Sequence, residues 1–181
     1  MNNKAVFLDR DGVINKDHGY VYKVENFDFV MGIFDFCRYV KRLGYNIIIV
    51  TNQSGIGRGY YTESNFSELT AWMKAQFAHN KCPIDAVYYC PHHPEKATAP
   101  YLQYCDCRKP APGMLLKAIE DFDLAPSECV MIGDNETDMQ AAKASGIGRK
   151  ILLASGNQSA NKIISSADEV WPALSMGLDG F

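Results

Sequence analysis

The chain has 181 residues, 47% hydrophobic and 22% charged, with 18 Lys plus Arg against 21 Asp plus Glu and a formal net charge of -3. That length supports one domain over residues 1–181 with its own core. The charge balance excludes a broad basic surface for nucleic acid, and the composition excludes bulk disorder. No apolar run approaches the roughly 20 residues that cross a bilayer. The opening apolar stretch is cut off by Asp9, too early for a signal peptide. A cytoplasmic protein with no membrane or nucleic-acid partner is expected, and nothing in the pattern calls for more than a monomer.

In chain order, Ala5–Leu8 predicts a short buried strand. Ile33, Phe36, Cys37, Val40 and Leu43 recur at helical spacing, and Gly44 stops that helix. Tyr45–Val50 carries the β-branched run of a strand buried on both faces. Ser54–Gly59 is glycine-rich and predicts a flexible loop. Thr62 fits the N-cap of a helix whose apolar positions are Phe66, Leu69, Met73 and Phe77. Ile84–Tyr89 predicts a third strand, and the stretch from Pro91 to Pro112 is turn-rich. Pro112 suits the first turn of a helix bearing Leu115, Ile119 and Phe122. Cys129–Ile132, Glu136–Ala144 and Lys150–Leu153 predict strand, helix and strand. After Ser155 a short helix around Ile163–Ile164 and an edge strand at Glu169–Trp171 are expected.

Strands alternating with helices imply an α/β fold, a parallel sheet with helices on both faces in three layers. Ligands bind such sheets beyond the carboxyl ends of the strands. The polar residues fall there: Asp9 and Asp11 after the first strand, Thr51, Asn52 and Gln53 after the second, Cys90 and His92 after the third, Asp134 and Asp138 after the fourth. Asp9 and Asp11 are two apart on extended chain and can serve one pocket. Carboxylates crowded into one crevice repel unless a cation sits among them, and oxygen-only donors with open positions suit Mg²⁺. Lys109 supplies positive charge for a phosphoryl group.

Six cysteines are present, and three of them, Cys90, Cys105 and Cys107, gather around His92 and His93. Three thiolates and one imidazole fit a closed tetrahedral zinc site, which is structural because it leaves no open position. Either histidine can complete it, and a redox pair at Cys105 and Cys107 is the alternative. Cys37, Cys82 and Cys129 read as small core residues.

Taken together, Asp9-Arg10-Asp11-Gly12, Thr51 after its strand, Lys109 in Cys-Arg-Lys-Pro and Gly133-Asp134 with Asp138 resemble the four motifs of the haloacid dehalogenase (HAD) superfamily of phosphohydrolases. The resemblance implies its Rossmann-like fold. It also implies Asp9 as nucleophile forming an aspartyl phosphate, and Asp11 as general acid and base. Mg²⁺ would be held by Asp9, the Asp11 carbonyl and Asp134, with Asn135 beside it, and Asp138 would orient the site from behind. The 39 residues between Asp11 and Thr51 and the 57 between Thr51 and Lys109 leave no room for a cap domain. The crevice must then be walled by the loops 12–29, 52–60 and 90–108.

The zinc loop, the missing cap, Asp17-His18-Gly19-Tyr20 and Thr51-Asn52-Gln53-Ser54 resemble the heptose-1,7-bisphosphate 7-phosphatases. Histidinol-phosphate phosphatases share the loop and stand as the alternative, and Asn135-Glu136-Thr137 resembles their type. The first resemblance implies hydrolysis of a small phosphorylated sugar in the making of nucleotide-activated heptose for lipopolysaccharide or surface glycans. It favours His92 as zinc ligand. It assigns Asp9, Arg10, Asp11, Asp17, His18, Gly19, Tyr20, Thr51, Asn52, Gln53, Ser54, Arg108, Lys109 and Asn135 to the substrate, with Thr51, Arg108 and Lys109 aiding catalysis. Arg58 is left between the distal phosphate and solvent.

Overall fold

The computed structural model describes residues 3–154 and 166–181. Six strands form one sheet: β1 (Ala5–Leu8), β2 (Asn46–Asn52), β3 (Ala86–Cys90), β4 (Val130–Gly133), β5 (Arg149–Leu153) and β6 (Glu169–Trp171). Their order is β3-β2-β1-β4-β5-β6, and every neighbouring pair is parallel. The helices are α1 (Ile33–Arg42), α2 (Ser54–Gly57), α3 (Glu63–His79), α4 (Gly113–Asp121) and α5 (Glu136–Ala144).

Alternation along the strands builds two cores. Val6, Leu8, Ile47 and Ile49 turn to one face and pack with Ile33, Phe36 and Val40 of α1 and Leu69, Met73 and Phe77 of α3. Ala5, Phe7, Ile48 and Val50 turn to the other and meet Met114, Leu115 and Ala118 of α4 and Met139, Ala141 and Ala142 of α5. Because both faces are covered, the central strands carry no polar alternation, as the β-branched run in β2 requires. Each of these large side chains, buried fully, contributes about 1.5–3 kcal/mol.

The chain winds outward from β1 to β3, then returns and winds the other way from β4 to β6. β1 and β4 are neighbours at that reversal, which leaves a crevice at their carboxyl ends. Asp9 follows β1 and Asp134 follows β4, so the topology alone brings the two motifs together.

Two expectations need correcting. Ser54–Gly57 is a helical turn, not a flexible loop, and Gly55, Ile56 and Gly57 are buried. Its glycines serve close packing: a Cβ on Gly55 would lie 2.2 Å from the Tyr61 ring, and one on Gly57 would lie 2.6 Å from the Pro91 carbonyl. Pro112 occupies the N-cap of α4 rather than its first turn, and Gly113 begins the helix. The expected Glu169–Trp171 strand pairs with β5 at the sheet edge. The helix expected around Ile163–Ile164 lies outside the described residues. Among the described residues no helix is long and apolar enough to cross a membrane.

Candidate active site

Asp9 leaves β1 with its backbone N–H still bonded to the Ile132 carbonyl of β4, at 3.1 Å. The chain then turns sharply, with the Ile14 N–H donating to the Arg10 carbonyl at 2.8 Å and Gly12 at φ +93°. A Cβ on Gly12 would stand 2.1 Å from Asp134 Oδ2. Only glycine both adopts this left-handed backbone without strain and lets the loop lie directly against the Asp134 carboxylate.

Asp9 is nearly buried. Its Oδ1 accepts from the Arg10 N–H at 2.8 Å and from Lys109 Nζ at 3.0 Å. Lys109 is itself buried, and its ammonium spends its donors on Asp9, on Asp138 Oδ1 at 2.6 Å and on the Val50 carbonyl at 2.8 Å. Burial alone would weaken its hold on its proton. The Asp138 and Asp9 carboxylates outweigh that and hold Lys109 charged above the ordinary lysine range. Asp138 also accepts the Asn135 N–H, at 3.1 Å, so both its oxygens are occupied by the protein.

The lysine's backbone is fixed as firmly as its tip. Asn52 Oδ1 accepts the Lys109 N–H at 3.0 Å, and Asn52 Nδ2 donates to the Lys109 carbonyl at 3.1 Å. This reciprocal amide clamp joins the end of β2 to the residue that ends the cysteine loop.

Asp11 lines the same crevice. Arg10 Nη2 donates to its two oxygens at 2.9 and 3.0 Å, Asn15 Nδ2 to Oδ1 at 3.0 Å, and Gln53 Nε2 to Oδ2 at 3.0 Å. Four contacts aim this carboxyl group. The Arg10 guanidinium, expected at the substrate, is buried against Asp11, the Val21 carbonyl and the rings of Phe27 and Phe66 and is not part of the crevice lining.

Oxygens of Asp9, Asp134 and Asp138 lie within 4.8 Å of one another. Burial pushes the Asp9 carboxyl well above the usual range, and Asp138, Asp134 and Asp11 add to it against the pull of Lys109. Burial and then Asp138 push Asp134 up to about 6. Such crowding fits a divalent cation: Asp9 and Asp134 offer hard oxygens, and the bare Gly12 loop lets the backbone join them.

The crevice, about 360 Å³, is lined by Asp9, Asp11, Asp17, Gly19, Tyr20, Asn52, Gln53, Ser54, Tyr61, Lys109, Asn135, Thr137 and Asp138. Most expected substrate residues are therefore gathered. Besides Arg10, three expected side chains are not brought to the lining. His18 is tied to Asp28 at 2.7 Å, half-exposed outside it. Thr51 is buried with its hydroxyl accepting from Gln53 at 2.8 Å. Arg108 donates to the His92 carbonyl, at 3.4 Å. Tyr61, Thr137, Asn15 and the supporting role of Asn52 were missed by sequence reasoning. Asn15, set in an apolar Val-Ile-Asn run, carried a faint signal as a buried amide. Tyr61 carried none.

At the end of β3 the sulfurs of Cys90, Cys105 and Cys107 and Nδ1 of His92 converge, with separations of 2.9 to 3.6 Å. Tetrahedral zinc with ~2.3 Å bonds sets its ligand atoms somewhat under 4 Å apart, and the donor set fits it. All these cysteines are free of disulfides. Hydrogen bonding with Cys90, then with Cys105 and His92, brings the Cys107 thiol down to about 5 against its burial, while the same contact with Cys107, together with burial, pushes the Cys90 thiol up. His93 is the histidine left out: its Nδ1 accepts the N–H groups of Glu95 and Lys96 at 3.1 and 3.0 Å. The cluster is wired to the acids, since the Cys90 carbonyl accepts the Gln53 N–H at 2.7 Å and Cys107 precedes Lys109 by two residues.

A doubly wound parallel sheet with Asp9, Asp11, Lys109 and Asp134 gathered at its switch point defines a HAD-like hydrolase. The family model described as HAD-hydrolase-like matches residues 106–175. A protein of Yersinia pestis named D-glycero-beta-D-manno-heptose-1,7-bisphosphate 7-phosphatase is 45% identical over 94% of this chain and 90% of its own. One of Burkholderia mallei, named for the alpha anomer, is 48% identical over 94% and 89%. A solved structure of D,D-heptose 1,7-bisphosphate phosphatase from B. bronchiseptica, complexed with magnesium and phosphate, superposes with TM-score 0.80 at 26% identity, covering 97% of both chains. The chain belongs to the heptose-1,7-bisphosphate 7-phosphatase family of HAD-like hydrolases.

Proposed function

We propose that this chain hydrolyses the C7 phosphate of D-glycero-D-manno-heptose 1,7-bisphosphate to heptose 1-phosphate and inorganic phosphate, as a cytoplasmic step toward nucleotide-activated heptose. The reading is carried by the paired acids: Asp9, fixed by Lys109 at 3.0 Å, lines one crevice with Asp11, aimed by Arg10, Asn15 and Gln53.

Asp9 attacks phosphorus through a carboxylate oxygen, and the bond from phosphorus to the sugar oxygen breaks. Asp11, as the acid, passes its proton to that leaving oxygen. The resulting Asp11 carboxylate then takes a proton from a water whose oxygen attacks the phosphorus of aspartyl phosphate. The Asp9–phosphorus bond breaks, phosphate departs, and both carboxyl groups return to their starting forms. Lys109 stays charged throughout and offsets negative charge beside Asp9.

Asp9, the Asp11 carbonyl and Asp134, with Asn135 adjacent, are the residues that would hold Mg²⁺. When bound, it supplies Lewis-acid polarisation and relieves repulsion between carboxylate and phosphate. Cys90, His92, Cys105 and Cys107 would hold Zn²⁺ as a crosslink that seats the segment leading into Lys109. Asp17, Gly19, Tyr20 and Ser54 form the wall facing the sugar.

The test is phosphate release with Mg²⁺ from both anomers of the bisphosphate and from histidinol phosphate, for the parent and Asp9→Asn. The expected result is a kcat/KM at least tenfold higher on a heptose bisphosphate, and no turnover by Asp9→Asn. Preference for histidinol phosphate, or activity surviving Asp9→Asn, contradicts the reading. The panel also assigns the anomer, since relatives named for each stand at 45% and 48% identity.

A further inference from the structure

We infer that Tyr61 is a positioning residue for the proton-transferring Asp11, acting through the Gln53 amide. The inference rests on the mechanism proposed above and adds a residue to it.

Gln53 is buried, and its amide has two ends that must be told apart. The NH₂ end faces Asp11 Oδ2 at 3.0 Å, the orientation that the carboxylate form of Asp11 requires, because a carboxylate only accepts hydrogen bonds. Its second proton goes to Thr51 Oγ1 at 2.8 Å. The carbonyl end then needs a donor, and the Tyr61 hydroxyl supplies it. The hydroxyl thereby fixes the amide's rotation: turning Gln53 over would set its oxygen against Asp11 and its NH₂ against a hydroxyl that now has to accept.

Tyr61 is itself held by two features. Its ring stacks on Tyr22, with centroids 5.2 Å apart and planes 11° from parallel. The bare Gly55 admits the ring edge where a Cβ would come within 2.2 Å. Tyr61→Phe keeps the stack and the space and removes only the donor. Gly55→Ala keeps the donor and displaces the ring.

The proton given by Asp11 matters in proportion to how poorly the leaving oxygen departs. A sugar alkoxide needs it and a nitrophenolate barely does. Misaiming Asp11 therefore costs poor leaving groups selectively, whereas general loosening of the fold, or loss of a direct contact with phosphate, costs all substrates alike. Loss of one buried hydrogen bond is worth up to about tenfold in rate.

The experiment measures kcat/KM for the parent, Tyr61→Phe and Gly55→Ala on heptose bisphosphate and on aryl phosphates of graded leaving-group acidity, with thermal melts confirming folding. For Tyr61→Phe the expected result is a fall of about tenfold on the sugar phosphate, less than twofold on p-nitrophenyl phosphate, and a steeper dependence on leaving group. Gly55→Ala should move the same way. Equal falls on every substrate, or an unchanged dependence on leaving group, overturns the inference. The aryl series reads Asp11 without the sugar. A parent inactive on heptose bisphosphate but showing the predicted change of slope would therefore sink the substrate assignment and leave Tyr61 in place.

Discussion

Removal of the Lys109 ammonium is the perturbation whose cost the structure states most fully. Lys109→Met leaves Asp9 and Asp138 buried without their shared cation and the Val50 carbonyl without its donor. Breaking a buried pair from one side costs about 3–5 kcal/mol. For a chain of this length that lowers the melting temperature by roughly 6–20 °C. The deficit should shrink as pH falls, because the raised affinity of Asp9 for a proton lets it neutralise itself. Adding Asp138→Leu removes one stranded charge, so the double variant should regain about half of the lost stability while remaining inactive. Thermal unfolding by circular dichroism, with zinc present and magnesium omitted, reads the stability, and phosphate release reads the activity. A single variant melting within about 2 °C of the parent, or a double variant less stable than the single, refutes the idea that this lysine is the hub of the buried acids.

Other outcomes follow from the same geometry. Gly12→Ala forces a Cβ to 2.1 Å from Asp134 Oδ2 at φ +93°, so Mg²⁺-dependent turnover should fall at least a hundredfold with the zinc content unchanged, as activity assays and metal analysis would show. In magnesium-free protein, Asp134 holds its proton up to about 6 when folded, against about 4 when unfolded. Its contribution is favourable below about pH 4 and is lost as pH rises to about 6. Unfolding free energy should therefore decline across that window and decline less in Asp134→Asn; identical slopes contradict this. Metal analysis should find about one zinc per chain. Cys107→Ala should lose that zinc and raise KM severalfold, because the loop seats Arg108 and Lys109, and retention of the metal would break the assignment.

The strands and their order of polar residues were legible because a buried parallel strand writes itself as a β-branched run and a site at strand ends follows directly after it. Asp9, Asp11 and Asp134 could be read this way, Lys109 only from its place in the Cys-Arg-Lys-Pro motif, and element bounds differed by at most two residues. Ser54–Gly57 was misread because glycine records only the absence of a side chain. Whether that gives flexibility or admits Tyr61 and Pro91 depends on neighbours distant in sequence. His92 and His93 were equivalent in spacing and only the resemblance favoured His92; the turn that caps His93 with the Glu95 and Lys96 amides is the physical reason His92 joins the sulfurs. The inward turn of Arg10 and the outward one of His18 were likewise hidden, since each is set by a partner, Asp11 or Asp28, that spacing does not choose. The Asn52 clamp joins residues 57 positions apart and leaves no local mark.

The claim on which the mechanism stands is that phosphorus becomes bonded to the Asp9 carboxylate. It is tested most directly by mixing enzyme, Mg²⁺ and excess heptose bisphosphate for a fraction of a turnover and quenching with borohydride, which reduces an acyl phosphate to an alcohol. Tryptic cleavage after Lys4 and Arg10 isolates residues 5–10, in which Asp9 is the sole acid. Mass spectrometry should find homoserine at position 9 in the parent and an unaltered peptide when substrate is omitted. An unmodified Asp9 during steady phosphate release, or the reduced residue at another carboxylate, would contradict that claim.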